Sequence, residues 1–188
     1  MPPKLVLLRH GETEWSVTGQ HTGRTDIPLL ERGRDQAKDA GQRLQGMAFA
    51  QVLTSPLQRA SDTCRLAGFE GVSEPDLMEW DYGAYEGLTT SDIRAERPGW
   101  ELWRDGVVDG ERAADVGRRA DRVIAQVRQT EGGDTLCVAH GHLLRVLAAR
   151  WVGLPPVGGR MFSLHPAAIS VLGWERDNPV VEAWNLVS

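Results

Sequence analysis

Twice in this chain an apolar run breaks off at His-Gly: LVLLRHG leads into Arg9-His10-Gly11, and LCVAHG leads into His140-Gly141. Short runs of Leu and Val bounded by polar residues and glycine read as buried strands, here Lys4 to Leu8 and Thr135 to Ala139. Each histidine therefore closes a strand. In an open α/β sheet, ligands sit outside the carboxyl ends of the strands, near the point where strand order reverses. The two histidines are expected to face one pocket.

The rest of the chain supplies the elements such a sheet requires. A polar loop rich in Gly and Thr runs to about Pro28, and apolar residues then fall at helical spacing from Glu31 to Leu44, with Gly46 as the stop. Gln51 to Thr54 reads as a strand, and Pro56 opens a helix through Leu66. Thr89 or Thr90 caps a helix to Glu96, which Pro98 ends, and Glu111 to Arg128 carries its apolar residues on one helical face. After Gly141 an apolar helix covers Leu143 to Val152. Two strands, Ala167 to Trp174 and Val180 to Leu186, close the chain around Asp177-Asn178-Pro179. Strands alternating with helices define an α/β fold, expected as a single-domain three-layer sandwich spanning residues 1–188, with a mostly parallel central sheet and helices on both faces.

Composition removes several function classes. With 41% hydrophobic and 25% charged residues the chain has an ordinary globular balance rather than a disordered one. A formal net charge of −5 offers nothing global to nucleic acid or an anionic membrane, so any anion must be held locally. No apolar stretch approaches the length of a signal or a membrane span, and a cytoplasmic protein is expected. The two cysteines, Cys64 and Cys137, have neither CxxC nor zinc spacing and read as buried free thiols.

The chemistry converges on phosphate. TSPLQRA delivers Arg59 from a first helical turn, and Arg9 stands next to His10. Two guanidiniums, two imidazoles and a helix N-terminus suit the oxygens of a phosphoryl group. The arginines can neutralise charge where many enzymes use Mg²⁺, so neither cofactor nor metal is expected. Neighbouring cations disfavour protonation of His10, which leaves a neutral nitrogen for attack on phosphorus. A leaving alkoxide also needs a proton, and Glu79, Asp81 and Glu86 are all candidates on spacing alone.

Taken together and in order, RHGETEW, HTGRTDIPL, TSPLQRA, MEWDYGAYEGLT and AHG make the chain resemble the histidine phosphatase superfamily, the phosphoglycerate mutase-like proteins. That resemblance implies a phosphate pocket of Arg9, His10, Arg59 and His140, with His10 phosphorylated in turnover. It also implies Glu79 as proton donor and later as base. On the substrate side it implies Thr22, Gly23 and Tyr82, together with Gly141 and His142, where His142 is either a pocket donor or a plain first-turn residue. The chain departs from the family at Ser16, a substrate-side position where Asn is common and where Ser keeps a hydrogen-bonding group of shorter reach, and at Leu30, where a capping Thr usually stands.

Mutases of this family resemble a longer chain with a basic insertion after the acidic loop. Here only Gly99 to Gly110 occupies that place, with Arg104 its single cation and Trp100 and Trp103 read as packing or lid residues. A phosphatase acting on a small phosphomonoester is therefore expected, and EWDYGAYEG with HGH resembles the branch of sugar-bisphosphate phosphatases and bacterial acid phosphatases. The alternatives are a cofactor-dependent phosphoglycerate mutase, a metal-dependent hydrolase using His140-x-His142, and a non-catalytic phospho-ligand module. A homodimer is left open. His21 and His165 carry no constellation, and Arg118, Arg119 and Arg122 read as a solvated helix face.

Overall fold

A computed structural model describes residues 2–187. The elements in chain order are β1 (Leu5–Arg9), α1 (Glu14–Thr18), α2 (Glu31–Arg43), β2 (Phe49–Thr54), α3 (Gln58–Leu66), β3 (Val72–Ser73) and α4 (Thr90–Glu96). There follow α5 (Leu102–Asp105), α6 (Ala113–Arg128), β4 (Asp134–Ala139), α7 (Gly141–Trp151), β5 (Ile169–Glu175) and β6 (Asn178–Leu186). Single 3₁₀ turns occupy Pro75–Leu77, Gly83–Tyr85 and Pro156–Met161.

The six strands lie in the order β3-β2-β4-β1-β5-β6. β1, β2, β3 and β4 pair in parallel, and β5 and β6 add an antiparallel edge. Alternate side chains of one strand enter opposite layers, because successive Cβ atoms point to opposite faces. Val6, Leu8, Leu136 and Val138 pack with Ala40 and Leu44 from the α2 side and with Cys64 and Ala67 from the α3 side. Leu5, Leu7, Cys137 and Ala139 pack with Val116, Val123 and Val127 of α6 and Leu143 and Leu147 of α7. This is the expected α/β sandwich with helices on both faces. Among the described residues no helix is long and apolar enough to cross a membrane.

Three helix starts differ from the sequence expectation, each for a non-local reason. The Glu31 helix begins as expected, and Leu30 at its cap makes no side-chain bond. The helix expected from Pro56 begins at Gln58, whose N–H donates to Asp26 Oδ1 at 2.8 Å, so a distant loop supplies the cap. The helix expected from Glu111 begins at Ala113, because Glu111 is drawn out to bond Arg119 and the Asp81 N–H. The last major helix begins at Gly141 rather than Leu143, with His140 at its cap. The loop after β1 also holds α1, a short helix with a Thr13–Ser16 capping box.

Candidate active site

Register puts the two histidines side by side. β1 and β4 are adjacent and parallel with Arg9 opposite Ala139, so His10 and His140 emerge together, and the His10 N–H donates to the Ala139 carbonyl at 2.9 Å. Their ring centroids are 5.2 Å apart. β2 pairs with the other edge of β4, and Ser55 leaves its end to meet the same place.

Hydrogen bonds fix both tautomers. Nδ1 of His10 lies 2.7 Å from the Gly11 carbonyl, which can only accept, so Nδ1 carries the proton and Nε2 keeps its lone pair. Burial, then the charges of Arg59 and Arg9, hold His10 well below the ordinary histidine range. The ring is neutral near neutral pH. Arg59 Nε donates to His140 Nδ1 at 3.1 Å, so Nε2 of His140 carries its proton and donates to Ser55 Oγ at 2.8 Å. Burial and the same cations keep His140 neutral too.

The two arginines are spent differently. Arg59 is fully buried and also donates to the carbonyls of Thr22, Gly23 and Thr25, which ties the 22–25 loop over the strand ends. Arg9 donates through Nη1 to the Leu164 carbonyl, while its buried Nε has no partner among the described residues. An orphaned guanidinium donor beside a neutral imidazole fits an anionic oxygen. Gly141 makes this geometry accessible, since a Cβ there would stand 3.3 Å from Arg9 Cζ and Nε and crowd any oxygen approaching them.

Glu79 is buried, and its carboxylate closes the N-terminus of α7. Oε1 accepts from the N–H groups of Trp80 and Leu143 at 2.9 Å, and Oε2 accepts from His142 N–H at 3.0 Å. A carboxylate offers about four lone-pair positions. Three are filled here, and the remaining one, on Oε2, is available for a proton. The other acidic candidates serve the loops: Asp81 Oδ1 accepts from Gly83 N–H, and Glu86 Oε1 accepts from Gly23 and Thr25 N–H. Of the three, Glu79 alone lines the cleft.

A cleft of about 340 Å³ opens over these groups. Of the residues named from sequence, Arg9, His10, Ser16, Thr22, Glu79, Tyr82, Gly141 and His142 line it, while Arg59, His140 and Gly23 stand behind that lining. Ser16 spends its hydroxyl on the capping box with Thr13. Gly23 directs its N–H to Glu86, so in this state the amide is turned away from any substrate. Tyr82 and His142 share a 2.6 Å hydrogen bond between the phenol oxygen and Nδ1. Burial pushes the phenol up and the imidazole down, so the pair is neutral.

Several residues of this region are not legible in the sequence. His21 lies in the wall, its ring 4.9 Å from that of Tyr82 and 5.7 Å from that of Trp100. Trp15, Arg94 and Arg145 complete the outer half of the cleft, together with Trp100 and Trp103, which the sequence offered as packing or lid residues. Arg119 corrects the reading of a solvated face: it is buried, pairs with Glu111, and donates to the carbonyls of Asp76, Met78 and Glu79. Its neighbours Arg118 and Arg122 are exposed as expected. His140 and His142 do not converge on one point, since their ring nitrogens bond Arg59 and Ser55 in one case and Tyr82 in the other. Cys64 and Cys137 are buried and free, and burial pushes the Cys64 thiol up to about 11, so neither is poised as a nucleophile.

Two neutral histidines and two arginines meet at the carboxyl ends of a parallel sheet, and comparison with known proteins gives the chain a family. Residues 5–187 match the histidine phosphatase superfamily (branch 1), to which this chain belongs. The chain is 45% identical over 177 residues to an acid phosphatase of Mycobacterium tuberculosis, covering 92% of this chain and 87% of that one. It is 38% identical over 188 residues to a sedoheptulose 1,7-bisphosphatase of Saccharomyces cerevisiae, covering 82% and 69%. A solved structure of an open reading frame product from Mycobacterium tuberculosis superposes with a TM-score of 0.94 at 41% identity, covering 98% of both chains. The protein is a phosphatase of this family.

Proposed function

We propose that this enzyme hydrolyses a small phosphorylated metabolite, a sugar phosphate or close relative, through a phosphohistidine at His10. The observation that carries the reading is the neutral His10 ring, anchored through Nδ1–H to Gly11, with an unspent Nε2 and the orphaned Nε of Arg9 beside it. The Nε2 lone pair attacks phosphorus as the P–O bond to the leaving group breaks. Arg9 and Arg59 offset the charge on the phosphoryl oxygens, with the neutral His140 ring fixed behind them by Arg59 and Ser55. Glu79 gives the departing alkoxide a proton from Oε2. It then takes one from the attacking water as the N–P bond breaks, which returns His10 to its starting state and releases inorganic phosphate.

The substrate class is supported by the aromatic walls of the cleft, which suit the C–H faces of a sugar, and by the sugar-bisphosphatase among the relatives. The phosphatase reading over a mutase one is supported by the short stretch from Gly99 to Gly110, which carries no basic insertion. Rapid quench at alkaline pH with labelled substrate tests the intermediate, because phosphohistidine survives base and is lost in acid. The expected result is acid-labile label on His10, absent in His10→Ala. Stoichiometric label on serine or aspartate, or a phosphate burst preserved in His10→Ala, overturns the proposal.

A further inference from the structure

The Gly11 carbonyl that fixes the His10 tautomer is itself aimed by side chains outside the cleft. A trans peptide sends its N–H and its C=O in opposite directions, so whatever holds the Glu12 N–H also aims the Gly11 carbonyl. Gln36 of α2 holds it. Its Oε1 accepts from the Glu12 N–H at 2.9 Å and its Nε2 donates to Glu12 Oε1 at 2.9 Å, which leaves the amide one orientation. The Glu12 carbonyl accepts from the Leu30 N–H at 2.9 Å. α2 comes this close because Gly33, on the same helical face as Gln36, has no side chain: a Cβ there would stand 2.2 Å from the Glu12 carbonyl oxygen.

The N–H of Gly11 runs the other way, to α3. It donates to Thr63 Oγ1 at 3.1 Å, and that hydroxyl donates to the Arg59 carbonyl one turn earlier at 2.7 Å. A backbone N–H can only donate, so the hydroxyl proton is committed to Arg59 and both groups are satisfied. Thr63 is fully buried, which keeps water from taking its place. The His10 carbonyl completes the frame by accepting from the Ala167 N–H at 3.1 Å. Neither Gln36 nor Thr63 lines the cleft. With the frame in place, a His10 ring protonated on Nε2 would turn the Nδ1 lone pair against the Gly11 oxygen 2.7 Å away, and that tautomer is repelled. If the peptide turns, the repulsion goes with it.

We propose that Thr63 and Gln36 are positioning residues for the nucleophile: by holding the N–H groups of Gly11 and Glu12 they aim the Gly11 carbonyl at His10 Nδ1 and keep Nε2 free of its proton. The role given to Nε2 rests on the phosphatase reading above, while the tautomer can be read without any substrate. Losing either hold lets the ring carry its proton on Nε2 part of the time and swing from the line of attack. Such misplacement lowers kcat and leaves KM nearly unchanged, because the arginines still bind the phosphoryl group.

Proton–nitrogen correlation spectra of the histidine rings separate protonated from bare nitrogens, and His10 is recognised by its loss in His10→Ala. The parent, Thr63→Val, Thr63→Ser, Gln36→Met and, as an exposed control, Arg65→Gln are compared by these spectra, by melting, and by kcat and KM on p-nitrophenyl phosphate. The parent should show Nδ1 protonated and Nε2 bare. Thr63→Val should show mixed tautomers and a kcat lower by about tenfold or more, with KM within about twofold. Gln36→Met should shift both readouts less, since its half-buried site admits water. Thr63→Ser keeps the hydroxyl and should match the parent, as should Arg65→Gln. A folded Thr63→Val or Gln36→Met with the parent's tautomer overturns the assignment of that residue whatever its rate or melting temperature, and so does an altered tautomer with the parent's kcat. If Thr63→Val does not fold, Gln36→Met decides on the same two readouts. A parent protonated on Nε2 overturns the proposal as a whole. A parent with no phosphatase activity overturns the phosphatase reading instead, and the tautomer then decides the proposal alone.

Discussion

Arg119 grips Glu111 with a two-toothed contact, Nε to Oε1 at 2.8 Å and Nη2 to Oε2 at 2.7 Å, directly behind the loop that carries Glu79. The same guanidinium holds the carbonyls of Asp76 and Met78 at 2.8 Å and that of Glu79 at 3.3 Å. Glu111 in turn accepts from Asp81 N–H, and its carbonyl accepts from the Trp80 indole. One ion pair thus clamps the backbone on both sides of the proposed acid.

Removing one partner of such a pair leaves the other buried and unpaired, at a cost of about 3 kcal/mol or more. Arg119→Gln should therefore lower the melting temperature. It should also let the Glu79 backbone drift, so kcat should fall about tenfold with a smaller change in KM. Arg119→Lys keeps the charge but cannot span both carboxylate oxygens and the carbonyls together, and should restore stability more than kcat. Thermal melting and steady-state kinetics on the three proteins check this. A kcat equal to the parent in a folded Arg119→Gln would show that the clamp serves stability alone.

The buried histidines make stability depend on pH. His10 and His140 are 5% and 0% exposed, and burial lowers both well below the usual value near 6.5. The unfolded chain regains that ordinary value, so below about 6.5 it binds protons that the folded protein refuses. Stability is then full above about pH 7 and declines as pH falls from about 6.5 toward the folded values, by up to about 1.4 kcal/mol per pH unit for each proton. Denaturant melts between pH 7.5 and 5 should show this loss, with a shallower slope in His10→Gln. A flat profile over that range would mean that the histidines take up protons in the fold as readily as in the unfolded chain.

What the sequence discloses and what it hides follow from the range of the interactions. The strand ends at His10 and His140 are readable because apolar runs are local, and pairing Arg9 with Ala139 then follows from the parallel register. The start of α7 is hidden because its acceptor is Glu79, more than sixty positions away, as the 63-residue separation from His142 records. α1 is hidden for a different reason: its capping box carries Ser16 where Glu or Gln would mark it. Arg119 and Arg145 are arginines on charged or apolar helices like any other. Only the neighbours that folding brings to them, Glu111 in one case and Trp103 in the other, set them apart.

The last expectation concerns Glu79 itself. Replacing it with Gln appears conservative in shape, but each oxygen of this carboxylate accepts from a backbone N–H. An amide nitrogen in either place points hydrogens at a donor and leaves at least one buried N–H unsatisfied, at about 1–3 kcal/mol. Glu79→Gln should thus lose some stability at the α7 N-terminus besides losing the exchangeable proton, and a lowered rate alone does not identify the acid. The substrate dependence does. An alkyl phosphate needs its leaving oxygen protonated, whereas p-nitrophenolate departs unaided, so the variant's phosphorylation step should slow about 10²-fold or more on the former and much less on the latter. Single-turnover measurements isolate that step from the later attack of water, for which Glu79 is the proposed base. If Glu79→Gln slows both substrates by the same factor, its part is to hold the start of α7 and the proton comes from elsewhere. Asp81→Asn and Glu86→Gln provide the comparison, since their carboxylates hold Gly83 and the 23–25 amides and should alter the two substrates alike.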